Sequence, residues 1–113
     1  MKKIEAIIRE EKLEPVKAAL EERGIIGMTV THVGGRGRQK GITLEWRAGE
    51  YRIDLLPKVK LEIVLRDDKC QTAVDIICKT AKTGNEGDGM IFVLPVESAV
   101  RVRTSDTSEA SVM

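Results

Sequence analysis

Residues 57 to 66 (PKVKLEIVLR) alternate well. Val59, Leu61, Ile63 and Leu65 fall on one face, and Lys58, Lys60, Glu62 and Val64 fall on the other. A period of two sustained over this length is a strand with one face on a core. Asp67-Asp68 ends it. The rest of the chain arranges itself around this strand. Residues 2 to 9 (KKIEAIIR) read as another strand, with Ile4, Ala6 and Ile8 on one face and Ile7 beginning to fill the second. Residues 12 to 23 read as a helix in which Pro15 is tolerated only in the first turn and Gly24 is the stop. Residues 25 to 34 read as a strand, 70 to 82 as a helix carrying Ala73, Ile76, Ile77 and Thr80, and 90 to 95 as a strand. Residues 99 to 103 (AVRVR) alternate as a short final strand, and the Ser/Thr-rich stretch 104–113 is expected to be a mobile tail.

The order strand, helix, strand, strand, helix, strand is the ferredoxin-like βαββαβ sandwich, an α+β fold with both helices on one face of the sheet. With 113 residues the expectation is one domain, 1–113. The second sheet face also carries apolar residues, and self-association would cover them. The pattern alone leaves dimer and trimer open. One Phe, one Trp and one Tyr leave the core to Ile, Val, Leu and Ala. A net charge of +1 gives no electrostatic reason to expect nucleic acid. Cys70 and Cys78, two helical turns or roughly 12 Å apart by rise, are too distant for a disulfide. With a single His in the chain, a Cys/His metal site is not expected either. Reduced thiols, no apolar run of spanning length and no signal peptide point to a cytoplasmic protein.

Residues 36–54 join two strands that a two-residue turn could join, and no strand or helix period resumes clearly before Leu55. Such long connections are usually functional or disordered. This one holds Arg36, Arg38, Lys40, Arg47 and Arg52 together with Trp46 and Tyr51. Arg and aromatic residues anchor interfaces, so the segment reads as a partner-binding loop. Three further features suit a phosphorylated ligand. Gly87-Asp88-Gly89 lets successive backbone N–H groups turn toward an anion, although such triplets are also ordinary turns. Arg101 and Arg103, two apart on the expected last strand, share a face and either hold phosphate or protect a sheet edge. Gly35-Arg36-Gly37-Arg38 is a third flexible cationic segment.

KKIEAIIR, GIIGMTVTHVGGRGRQKG, RAGEYRIDLLPKVKLEIV, AKTGNEGDGMIFV and RVRT, in this order and spacing, resemble the PII signal-transduction family over residues 1 to about 104. The resemblance implies a homotrimer whose three inter-subunit clefts bind ATP or ADP. Gly27, Met28 and Thr29, with Ile7, Glu62 and Val64, would serve the adenine and ribose side. Gly87, Asp88 and Gly89, in a phosphate-binding loop at 82–90, would cradle phosphates. Arg101 and Arg103 would hold them by charge, and Gly35, Gly37 and Arg38 would close over them. Gln39 would reach a Mg²⁺ that bridges ATP and the effector 2-oxoglutarate. Lys58, with the backbone around Lys40 and Gly41, would complete the 2-oxoglutarate pocket. Residues 36–54 would be the T-loop, with Trp46 as an aromatic anchor, Arg47 at the position that enters the inner mouth of an ammonium channel, and Tyr51 at a position some members uridylylate. Channel contact would be the one link to a membrane, and glutamine synthetase or other nitrogen-assimilation enzymes are the other implied targets.

The chain departs from that pattern at Met90, where the family usually has a Lys on the phosphates, at Arg36 for a common Phe, and at Asn85 for a frequent Lys. Glu10-Glu11 replaces a frequent Pro-Phe, and Gly49 removes a serine that cyanobacterial members phosphorylate. An altered ligand set, with preference for ADP or AMP and no 2-oxoglutarate response, is therefore an alternative. An acylphosphatase-type enzyme shares the topology, but no base–nucleophile constellation accompanies the lone His32. A metal-tolerance trimer of the CutA kind is opposed by GRQKG and LPK.

Overall fold

The computed structural model describes residues 1–37, 42–46, 49–53, 55–107 and 112, the two segments within 42–53 as backbone strands only. The elements are β1 (Lys2–Arg9), a 3-10 turn (Glu10–Lys12), α1 (Leu13–Glu21), β2 (Thr29–Gly35), β3 (Ile42–Trp46), β4 (Gly49–Ile53), β5 (Leu56–Leu65), α2 (Asp67–Ala81) and β6 (Met90–Pro95). A four-stranded sheet has the order β2-β5-β1-β6, and β3-β4 form a separate two-stranded sheet. All described pairings are antiparallel. This is the expected ferredoxin-like α+β fold.

The alternating strand is β5, at the centre. It pairs with β1 in a register that sets Ile4 opposite Ile63, Ala6 opposite Leu61 and Ile8 opposite Val59. All six side chains are buried, and α2 closes over them through Ala73, Ile77 and Ala81, with Val16 and Leu20 of α1 beside it. Each fully buried Leu, Ile or Val contributes about 1.5–3 kcal/mol, so this single aliphatic layer holds the domain together. α1 ends in a C-terminal motif. Ile25 N–H donates to the Leu20 carbonyl (3.0 Å) and Gly24 N–H to that of Glu21 (2.9 Å), with Gly24 at φ +77°. Ile25 and Leu20 then pack together in the core.

Four boundaries differ from the sequence expectation. β5 ends just before Asp67-Asp68, but α2 begins at Asp67 rather than at 70, because acidic residues in a first turn complement the helix dipole. β2 begins at Thr29, since its ladder with β5 starts at Thr29 opposite Glu62. The interval 36–54 contains β3 and β4, paired from Ile42–Ile53 to Trp46–Gly49. Their alternation follows the Gly-rich cationic stretch at 34–38, which makes the whole interval read as loop. The strand expected at 99–103 does not form: Arg101 N–H donates to the Asp106 carbonyl (3.0 Å) and Ser105 N–H to that of Arg101 (2.7 Å), which makes a turn. Alternation assigns faces to a strand but supplies no neighbour for its backbone. Of the expected tail, Thr104–Thr107 lies in and after this turn, with Asp106 N–H donating to Thr104 Oγ1 (3.2 Å).

The sheet face away from the helices is mixed. Lys3 bridges Glu62 (2.7 Å) and Glu5 (3.1 Å), and Lys60 lies 3.5 Å from Glu62. Next to this ladder, Met90, Phe92 and Leu94 of β6 are exposed. No helix among the described residues is long and apolar enough to cross a membrane.

Candidate functional site: a glycine-rich cleft at the end of the sheet

The ends of β1, β2 and β5 converge with the loop 83–89 around a cleft of about 550 Å³, a ligand-sized volume. Ile7, Met90, Phe92 and Leu56 make its apolar wall. Gly35-Arg36-Gly37 forms one rim and Asn85 to Gly89 the other, with Lys58 between them.

The loop owes its shape to Asp88. Its Oδ2 accepts from the N–H of Thr83 (2.8 Å) and of Gly84 (2.9 Å), and its Oδ1 from the Thr83 hydroxyl (2.5 Å) and from Arg9 Nε (3.1 Å). The Thr83 hydroxyl above all, then the two amides and Arg9, hold the Asp88 carboxyl well below the usual carboxylate range. The carboxylate therefore points into its own loop as a structural pin. Gly89 is bound to its identity: a Cβ there would lie 1.7 Å from the Ile7 carbonyl oxygen, at φ +107°. This close approach seats the loop on β1.

Lys58 is buried and donates from Nζ to the Gly87 carbonyl. Burial, reinforced by the neighbouring Arg9, pushes its ammonium down from the ordinary lysine value, while Glu11 and Asp88 act the other way.

Of the residues singled out in the sequence, Ile7, Gly35, Gly37, Lys58, Gly87, Asp88 and Gly89 come together here, with Met90 and Arg36. The remaining described ones do not line this cleft. Thr29 sits opposite Glu62 at the other end of the β2–β5 ladder, Met28 packs against the core, and Gly27 precedes them. Glu62 is held by Lys3, which lowers its pKa, and Val64 pairs with Lys3 in the ladder. Arg101 and Arg103 are exposed and belong to the turn, so they do not share a strand face. Arg38, Gln39, Lys40, Gly41 and Arg47 lie outside the described residues, as do the side chains of Trp46 and Tyr51. His32 is exposed, 3.5 Å from Glu10. Cys70 and Cys78 are free thiols, the first buried and the second exposed. Arg9 and Thr83 are the loop-shaping residues that sequence reasoning passed over. The one signal for Thr83 was a hydroxyl residue in the same loop as an Asp.

A ferredoxin-like sheet, a separate β-hairpin between its second and third sheet strands, and a glycine-rich cleft beside that junction together define a small α+β domain with a ligand-sized cleft. The family model described as nitrogen regulatory protein P-II matches residues 1–106. Nitrogen regulatory protein P-II 2 of Methanothermobacter thermautotrophicus is 56% identical over 112 residues, covering 99% of this chain and 97% of the relative. Nitrogen regulatory protein P-II of Klebsiella oxytoca and P-II 1 of Escherichia coli K12 are each 54% identical over 112 residues, covering 99% of this chain and 100% of theirs. The chain belongs to the P-II family of nitrogen regulatory signal transducers, and is a regulator rather than an enzyme.

Proposed function

We propose that this chain is a homotrimeric cytoplasmic sensor that binds ATP or ADP in clefts between its copies. It takes up 2-oxoglutarate together with Mg-ATP and acts on an ammonium channel or on nitrogen-assimilation enzymes such as glutamine synthetase through residues 36–54. The observation that carries the reading is the cleft at Gly87-Asp88-Gly89. Its carboxylate is turned into the loop, an apolar wall fits a base, and Lys58 and Arg36 supply positive charge. The adenine-side set Gly27, Met28, Thr29, Glu62 and Val64, and the pair Arg101 and Arg103, lie away from this cleft within one chain. A neighbouring copy would bring them to it. The exposed apolar residues of β6 would be covered by the same association.

Met90 lines the cleft, 61% exposed, at the position where the family resemblance implies a phosphate-binding Lys. A charge-assisted hydrogen bond to phosphate is worth about 1.5–3 kcal/mol, so its loss weakens binding by roughly ten- to a hundredfold. This observation favours the second reading, a sensor with an altered ligand set. Isothermal titration with ATP and ADP, each with Mg²⁺ and with or without 2-oxoglutarate, separates the two. Binding of ATP, and of 2-oxoglutarate only alongside Mg-ATP, supports the first. Binding of ADP or AMP alone, with 2-oxoglutarate silent, supports the second, and Met90→Lys should then tighten ATP. Failure of every adenine nucleotide to bind would refute both.

A further inference from the structure

Arg9 closes β1 and belongs neither to the core nor to the predicted ligand set. Its Nε donates to Asp88 Oδ1 (3.1 Å) and its Nη2 to the Glu86 carbonyl (2.7 Å), so one guanidinium holds two points of the 83–89 loop. Lys58 stands directly opposite Arg9 in the β1–β5 ladder and takes the next carbonyl along, that of Gly87. Two adjacent cations thus hold two successive carbonyls. In a trans peptide the C=O and the following N–H point in opposite directions. Drawing the Glu86 and Gly87 carbonyls toward Arg9 and Lys58 therefore turns the Gly87 and Asp88 amides the other way. Asp88, pinned by Thr83 and Gly84, fixes one side of this arrangement, and Gly89, pressed on the Ile7 carbonyl, fixes the other.

We infer that Arg9 is a positioning residue for anion binding: its forked contact with Asp88 and the Glu86 carbonyl shapes residues 86–88 into an amide cradle, without touching the ligand. The inference rests on the nucleotide reading above. A planar guanidinium presents two donors in a fixed fork, whereas an ammonium is a point charge, so Lys at this position cannot reproduce both contacts with the same geometry.

The test combines Arg9→Ala, Arg9→Lys, Asp88→Asn and the double variant Arg9→Ala/Asp88→Asn, with thermal unfolding to confirm that each is folded. ADP affinity is read by titration, and the Thr83 and Gly84 amides by hydrogen exchange. The expected result is an affinity loss of about tenfold for Arg9→Ala, with partial rescue by Arg9→Lys. Exchange at Thr83 and Gly84 should rise in parallel, and the double variant should lose less than the sum of the two single losses, because the Arg9–Asp88 contact is counted in both. Wild-type affinity in a folded Arg9→Ala protein, or strictly additive losses, would overturn the inference while leaving nucleotide binding intact. A wild-type protein that binds no adenine nucleotide would overturn the nucleotide reading itself, and this inference with it.

Discussion

At the scale of single residues, two glycines at positive φ should respond differently to substitution. Gly24 sits at φ +77° with nothing within 4 Å of a built Cβ, so Gly24→Ala should cost only left-handed strain, about 1 kcal/mol. Gly89→Ala adds a collision with the Ile7 carbonyl oxygen and should cost upwards of about 3 kcal/mol, or unseat the loop. Urea midpoints of the two variants measure the difference. Asp88 makes a pH prediction. Its carboxyl is lowered in the folded state, so the unfolded chain takes up a proton first as the pH falls. The stability it contributes is whole above the ordinary Asp range near about 3.9, and drains away as the pH drops toward its lower folded value. By NMR, Asp88 should remain ionised between pH 3 and 4, where exposed carboxylates titrate (the interval follows from ordinary values of about 4). Lys58 runs in the other sense. Its folded pKa is lowered, so its charged form opposes folding, and stability should recover as the pH rises through that value toward the ordinary lysine range.

At the scale of elements, the paired segment β3–β4 forms no ladder with the four-stranded sheet. The last β2–β5 pair is Gly35 with Leu56, so a short turn can rejoin these two strands. Replacing residues 38–53 with such a turn should leave the far-UV circular dichroism of the core and its cooperative unfolding intact, while partner binding is lost. A collapse of the whole fold would show that the segment supports the sheet. Much of the element plan was legible beforehand: the β5 alternation, the β1 face, Pro15 and Gly24 bounding the first helix. β3 and β4 were not: ITLEW and GEYRI do alternate, but they sit in an interval whose glycines and cations read as loop. The expected strand at 99–103 was misjudged for a different reason. Its alternation is clean, with Val102 95% exposed, but a strand needs a neighbouring backbone, and the chain meets its own Asp106 carbonyl instead.

For the whole molecule, one chain leaves the β6 side of the open sheet face uncovered, with Leu94 39% exposed beside Phe92 and Met90. Light scattering should give the mass of three chains. Leu94→Glu places a charge on that apolar strip without entering the cleft, and should shift the protein toward smaller species. A trimer undisturbed by this change would place the contact elsewhere. Cleft occupancy and assembly should be linked if residues such as Arg101 and Arg103 come from a neighbour. Leu94→Glu should then weaken ADP binding as it weakens the trimer, measured on the same preparations.

The sequence by itself determined the four strands of the main sheet and the two helices, the faces that β1 and β5 bury, and that Gly87, Asp88 and Gly89 sit between a helix and a strand. These are consequences of periodicity and local backbone chemistry, which act over a few residues. Tertiary structure alone decided that Asp88 turns inward onto Thr83 and Gly84, that Arg9 and Lys58 take the Glu86 and Gly87 carbonyls, and that Gly89 has no space for a side chain against Ile7. Arg9 and Glu86 are far apart in sequence, and no pattern along the chain records which distant carbonyl a guanidinium will find. That pairing exists only once the β1–β5–β6 register has placed the loop against the strand.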